Sequence, residues 1–91
     1  MDFSAKRWYN QFMRIDKFLK VSRILKRRSV ANMACDNDRV MVNGKVAKPS
    51  HSLKVGDEVE VDFGQNKLKF RVLSLNDKAT KEQAGLLYEI L

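Results

Sequence analysis

At 91 residues the chain has the length of one domain, enough to bury a modest core and too short to carry a catalytic domain beside a binding module. A formal charge of +7 and a pI near 9.8 turn it toward polyanions, nucleic acid first and an anionic membrane surface second. The lone Cys35 excludes an internal disulfide, and no run approaches the roughly 18–20 apolar residues of a membrane span or the apolar core of a secretory signal, so a reducing cytoplasm is the expected setting.

Residues 1–12 place Phe3, Trp8, Tyr9 and Phe12 among polar neighbours with no sustained period, and read as an N-terminal extension: an upstream start, a remnant of expression, or an aromatic arm packed on the domain. The strongest pattern follows at once. Residues 14–28 hold seven Lys or Arg and one acid, Asp16, interleaved with Ile15, Phe18, Leu19, Val21, Ile24 and Leu25. Such a mixture describes a folded basic surface and not a loose cationic tail. Ser22 breaks the helical spacing and Val21 restarts it, which predicts a short helix over 16–22 and then a tight turn. Phe18 falls on the apolar face and reads as core. Ser29 is the predicted cap of a second helix ending near Asn37, whose narrow face of Val30, Ala31, Ala34 and Cys35 suits close packing on the first.

Residues 39–42 read as a strand entering an Asn43-Gly44 turn, and 45–47 leave it again. Pro49, Ser50 and Ser52 mark a loop, and Gly56-Asp57 a further turn. Residues 58–63 alternate strictly enough for a half-buried strand, the turn 64–66 sends the chain back, and 67–75 alternate again with Leu68, Phe70 and Val72 on one face. Residues 80–87 have helix-forming composition, weakened by Gly85, and Ala84, Leu87 and Tyr88 could return an apolar edge to the sheet. The charge is uneven along this order. Residues 1–48 carry twelve bases and four acids, whereas 49–91 carry six and seven, so the basic half should be the binding half.

Arg14-Ile15-Asp16-Lys17-Phe18-Leu19, the stretch 23–31, the run Arg39-Val40-Met41-Val42-Asn43-Gly44-Lys45 and Val55-Gly56-Asp57-Glu58-Val59 resemble, in that order and spacing, the S4 RNA-binding domain. The stretch 14–29, Phe63-Gly64-Gln65, Lys81-Glu82-Gln83-Ala84 and the ending Tyr88-Glu89-Ile90-Leu91 are similar to the small stand-alone members of Gram-positive bacteria that act in ribosome-associated quality control, relatives of heat-shock protein 15. The resemblance implies an α+β, S4-type (αL) fold over 13–91, with two short helices on a small curved antiparallel sheet and a short C-terminal helix. It also implies binding to the large ribosomal subunit, with contacts to 23S rRNA and tRNA while C-terminal tails are added to a stalled peptide. Where the family has Gly before the Arg-Val of its first strand, this chain has Asp38, which puts the helix-to-strand turn under strain without touching the binding face.

The family's binding face maps to Arg14, Lys17, Lys20, Arg23, Lys26, Arg27, Arg28, Asn43 and Lys45. Arg28 and Arg14 lead, because a guanidinium fork grips a phosphate with two parallel hydrogen bonds where Lys offers a point charge. Arg27 and Arg28 precede the predicted Ser29 cap, where free helix amides also attract an anion. Arg14 and Asp16 either pair locally to order the first helix or leave Arg14 to meet RNA, and both hold if Asp16 orients Arg14. Asn43 is a turn residue before it is a base reader, and Lys45 is the better ligand. His51 reads as a plain surface residue. With mostly cations offered, shape and backbone of RNA should be recognised in preference to sequence.

The expectation is therefore a non-catalytic binder without cofactor, metal, small-molecule substrate or membrane partner, monomeric off the ribosome. One Cys, one His and no glycine-rich phosphate loop give catalysis no constellation to work with. Other readings are a ribosome-assembly factor, a helix-turn-helix DNA binder using Asn32 as its base reader, and a protein-binding adaptor using Glu58, Glu60 and Asp62.

Overall fold

Ile15, Phe18 and Leu19 recur at helical spacing, and all three are fully buried in the first helix of the computed structural model, which describes residues 12–91. That helix, α1 (Ile15–Val21), follows a two-residue strand, β1 (Met13–Arg14), and packs against α2 (Arg28–Asp36). Ala31 and Cys35 are the fully buried residues of α2, and their small volumes let the two helices approach closely. Cys35 thus acts as a small core hydrophobe, and burial, with Asp16 and Asp36 adding their negative charge, pushes its thiol up to about 11. Phe18 joins the helices to the sheet: its ring stacks on Phe70 at 5.9 Å between centroids, and Phe70 meets Tyr88 edge-on at 5.4 Å.

The strands are β2 (Val40–Val42), β3 (Lys45–Val46), β4 (Ser52–Leu53), β5 (Glu58–Asp62), β6 (Lys67–Val72) and β7 (Tyr88–Ile90). Five of them form an antiparallel sheet in the order β3-β2-β5-β6-β7, while β1 and β4 make a separate ribbon. Alternation sorts the faces as the sequence predicts. Val59, Val61, Phe70 and Val72 point into the core, and Glu58, Glu60, Lys69 and Arg71 point away. The Asn43-Gly44 turn has positive φ at both residues, 52° and 86°, which is the geometry a two-residue hairpin requires.

Several expectations need correcting. Ser29 does not cap α2: Arg27 is the extended N-cap residue, no side chain caps the end, and Ser29 sits one residue inside the helix. The helix predicted over 80–87 shrinks to one 3-10 turn, Ala84–Leu86, after which Tyr88 to Ile90 pair with β6 as a fifth strand. Only Ala84 and Leu87 of that stretch are buried, three residues apart, so a single turn satisfies them and β-favouring Tyr88 takes the sheet edge. Strand β6 stops at Val72, and the slipping pattern beyond it leaves Leu73 exposed and Leu75 buried. The β1–β4 ribbon was invisible to pattern, being two residues long, yet it pairs Met13 with Leu53, both buried. Of the expected extension 1–12, all but Phe12 lies outside the described residues.

Asp38 is left-handed, with φ 61°, as expected of a residue in glycine's place. It closes α2 in a Schellman arrangement: its amide donates to the Cys35 carbonyl at 3.1 Å and the Arg39 amide to the Ala34 carbonyl at 2.9 Å. Its ion pair with Lys48, 3.5 Å long between exposed side chains, adds little. Asp38→Gly is expected to raise stability by about 0.5 kcal/mol, roughly 2–4 °C in melting temperature, while Asp38→Val lowers it. Calorimetry on both variants checks the pair; no gain with glycine would mean that the turn carries no strain.

Candidate nucleic-acid interface

A carboxylate within a cationic segment organises the basic side chains around it. Asp16 stands in the first turn of α1 with 1% of its surface exposed. Arg14 Nε donates to its Oδ1 at 3.2 Å and Arg14 Nη2 to its Oδ2 at 3.1 Å, a two-pronged contact. From α2, Arg28 Nη2 donates to Oδ1 at 3.4 Å and Asn32 Nδ2 to Oδ2 at 3.3 Å. Burial pushes the Asp16 carboxyl up, but the hydrogen bonds from Arg14 and Asn32 and the charges of Arg28 and Arg14 outweigh it and hold the group below the ordinary carboxylate value. Asp16 is therefore ionised at neutral pH, and both guanidinium groups stay about half exposed, each with N–H groups turned to solvent. The pair lines a shallow hollow with Ser29, Asn32 and Met33.

The backbone fixes the same spot. The Ile15 amide donates to the His51 carbonyl at 2.9 Å and the Asp16 amide to the Pro49 carbonyl at 3.4 Å, so the loop before β4 satisfies the open N-terminus of α1. Across the ribbon Arg14 lies opposite Ser52. Of the remaining predicted cations, Lys20, Arg23, Lys26 and Arg27 are exposed on and after α1, and Lys45 is exposed on the hairpin. Arg23 is left-handed, φ 63°, with its amide donating to the Lys20 carbonyl at 3.0 Å, so an Arg occupies a helix-ending position that favours glycine. Three cations, Lys26, Arg27 and Arg28, meet the N-terminus of α2 with no acid in its first turn. That placement is unfavourable to the helix dipole by about 0.3–1 kcal/mol per charge until an anion arrives.

Two predicted residues are otherwise engaged. Lys17 pairs with Asp77 at 3.1 Å, tying α1 to the C-terminal segment. Asn43 turns its side chain inward, donating to Asp57 Oδ1 at 3.1 Å and accepting the Glu58 amide at 3.0 Å, in keeping with its reading as a turn residue. Asn32, which the sequence offers only as a DNA base reader, has its amide held by Asp16 instead; an i to i+16 contact between helices has no signature in the chain. The acids suggested for an adaptor surface are likewise occupied: Glu58 and Glu60 pair with Arg71 and Lys67 of β6, and Asp62 accepts the Gly64 amide at 2.7 Å. Among the described residues, no group of three or more His, Cys, Asp or Glu could hold a metal ion, and no helix is long and apolar enough to cross a membrane.

The S4 domain model matches residues 13–59, which contain both helices, the hairpin and every side chain around Asp16. The chain belongs to the S4 domain family. Within it, the chain is 52% identical over 79 residues to the RQC P-site tRNA stabilizing factor of Streptococcus pneumoniae, covering 87% of this chain and 90% of that one. It is 48% identical to the protein of the same name from Bacillus subtilis, covering 87% and 92%. The trimeric structure of Vibrio cholerae heat shock protein 15 superposes with a TM-score of 0.80 at 28% identity, over 88% of this chain and 82% of that one.

If Asp16 positions the two arginines, removing its charge must weaken an S4-type contact although the protein becomes more positive. Asp16→Asn is expected to lower stability by about 1–3 kcal/mol and to weaken RNA binding several-fold. A surface acting through net charge alone would bind more tightly, and a filter-binding titration separates the two. Since the folded carboxyl titrates below its unfolded value, the Asp16 contribution is complete above about pH 4 and drains as pH falls through the folded value. Urea melts of wild type and variant should therefore differ at pH 7 and converge in strong acid.

Proposed function

We propose that this protein is a non-catalytic, cytoplasmic RNA-binding factor of the large ribosomal subunit that contacts 23S rRNA and tRNA during rescue of stalled ribosomes and C-terminal tailing of their nascent chains. The observation that carries the reading is the convergence of Arg14 and Arg28 on one buried carboxylate, which presents two fixed guanidinium groups at the edge of an otherwise cationic helix pair. Each arginine keeps donors for a phosphate oxygen while its orientation is set from behind. Lys20, Arg23, Lys26, Arg27 and Lys45 extend the positive field, and their contacts, like those of the arginine pair, would follow backbone and shape, because A-form RNA hides its base edges. The names of the relatives supply the ribosomal setting: proteins 44–52% identical over nearly their whole length are called stabilizing factors of P-site tRNA in RQC, the ribosome-associated quality-control pathway. Off the ribosome the protein acts as a monomer, a single domain over 13–91.

Counterion release gives the test. Arg28→Ala is expected to weaken binding to purified large subunits carrying peptidyl-tRNA and to flatten the log-log salt slope by about 1, with an unchanged circular dichroism spectrum. An unaltered slope in the folded variant would take Arg28 out of the contact. Sedimentation with and without nuclease adds the second check, since a phosphate binder leaves the ribosomal fraction when the RNA is cut.

A further inference from the structure

Beside the arginine pair lies a second concavity, between the β2–β3 hairpin and β4, lined among others by Phe12, Lys45, Val46, His51, Ser52 and Lys54. Phe12 is 60% exposed and Val46 49%, so an aromatic ring and an aliphatic side chain in this one lining both face solvent. Lys45 and Lys54 are both exposed. The acid of the groove, Asp57, is buried and closed off, with Oδ1 accepting from Asn43 and Oδ2 from the Lys54 amide at 3.0 Å. What the groove offers a ligand is therefore an aromatic face, an aliphatic wall and two cations, with no exposed carboxylate in its lining.

The groove neighbours Arg14 through the β1–β4 ribbon. Arg14 lies directly across the β1–β4 ribbon from Ser52, and cross-strand partners share a face. Along the chain, Phe12 and Arg14 are exposed while Met13 between them is buried, so the ring and the guanidinium emerge on one side. An RNA backbone held at Arg14 has this groove as its next neighbour. Fully paired RNA could offer it only phosphates, leaving Phe12 and Val46 wet. An unpaired nucleotide offers a π-face together with its phosphates, the combination that aromatic and cationic grooves hold without regard to sequence.

We infer that this groove takes one unpaired nucleotide of the bound RNA, its base stacked on Phe12 against Val46 and its flanking phosphates on Lys45 and Lys54. The inference deepens the proposed function and rests on it for the placement of the neighbouring strand. The probe is an RNA hairpin with a single bulged 2-aminopurine, compared at low ionic strength with the same hairpin fully paired. The full-length protein should quench the 2-aminopurine emission. Phe12→Leu, at an exposed position, should keep the fold by circular dichroism, abolish the quenching and weaken the bulged hairpin about tenfold while leaving the paired one unchanged. Phe12→Tyr should restore both quenching and affinity. Absence of quenching by the wild type, or an equal effect of Phe12→Leu on both hairpins, overturns the groove assignment. Arg28→Ala separates this from the underlying reading: it should weaken both hairpins alike, and if it weakens neither, the arginine-pair reading fails whatever Phe12 does.

Discussion

One buried carboxylate sets the geometry of everything basic around it. Asp16 sits in the first turn of α1 at 1% exposure, and three side chains, one from β1 and two from α2, converge on its two oxygens. A carboxylate so placed would be costly if left alone, and its partners would be mobile surface cations if it were absent. Their meeting resolves both problems. The acid stays charged because guanidinium groups surround it, and the arginines lose rotamer freedom before any ligand arrives, so less of that entropy is left to lose on binding. Isolated exposed ion pairs contribute little; this one draws its strength from an acceptor shut away from water.

The supports behind that carboxylate explain why the fold is organised as it is. The Phe18, Phe70 and Tyr88 rings run from α1 through β6 to the edge strand β7, so the helix that carries Asp16 is fixed to the far side of the sheet. Small residues on α2 bring Arg28 and Asn32 within reach of Asp16, and the carbonyls of Pro49 and His51 hold the start of α1 where Arg14 emerges. Left-handed Arg23 and Asp38 end the two helices abruptly. With α1 only seven residues long, a frayed last turn would carry Lys20 away from the surface it shares with Arg23 and Lys26.

Elements whose signal is local could be read from the chain. Both helices, the Asn43-Gly44 hairpin, the alternating pair β5–β6 and the strained Asp38 turn all follow from spacing, turn chemistry or family pattern, and they hold in the structure. Arg14 and Arg28 stand out in the sequence by the chemistry of the guanidinium fork. Their common partner is half legible: the sequence offers Asp16 as an orienter of Arg14, but its bonds to Arg28 and Asn32 depend on how α1 crosses α2, which no periodicity encodes. The same holds for the β1–β4 ribbon and the Lys17–Asp77 pair, contacts made by residues about 40 and 60 positions apart. At the start of α2 the structure departs from a local rule. Capping propensity favours the serine, yet the actual N-cap is Arg27, extended and without a capping side chain, which leaves Ser29 one residue inside the helix.

The two faces of the molecule then divide the charge between them. On the outer face of the sheet, Arg71 bridges Glu58 at 3.0 Å and Glu89 at 2.9 Å, and Lys67 approaches Glu60 at 3.7 Å, so bases on β6 answer acids on the strands beside it. This ladder stabilises strand pairing and cancels its own field. Around the helices the cations outnumber the acids, and Asp16, the acid amid the arginines, is turned inward, so the field there reaches solvent. A polyanion approaching within a Debye length, about 8 Å at physiological salt, is drawn to the helical side and finds little attraction at the sheet. A polyanion is thus oriented before contact by the distribution of charge alone, with the helical side turned toward it.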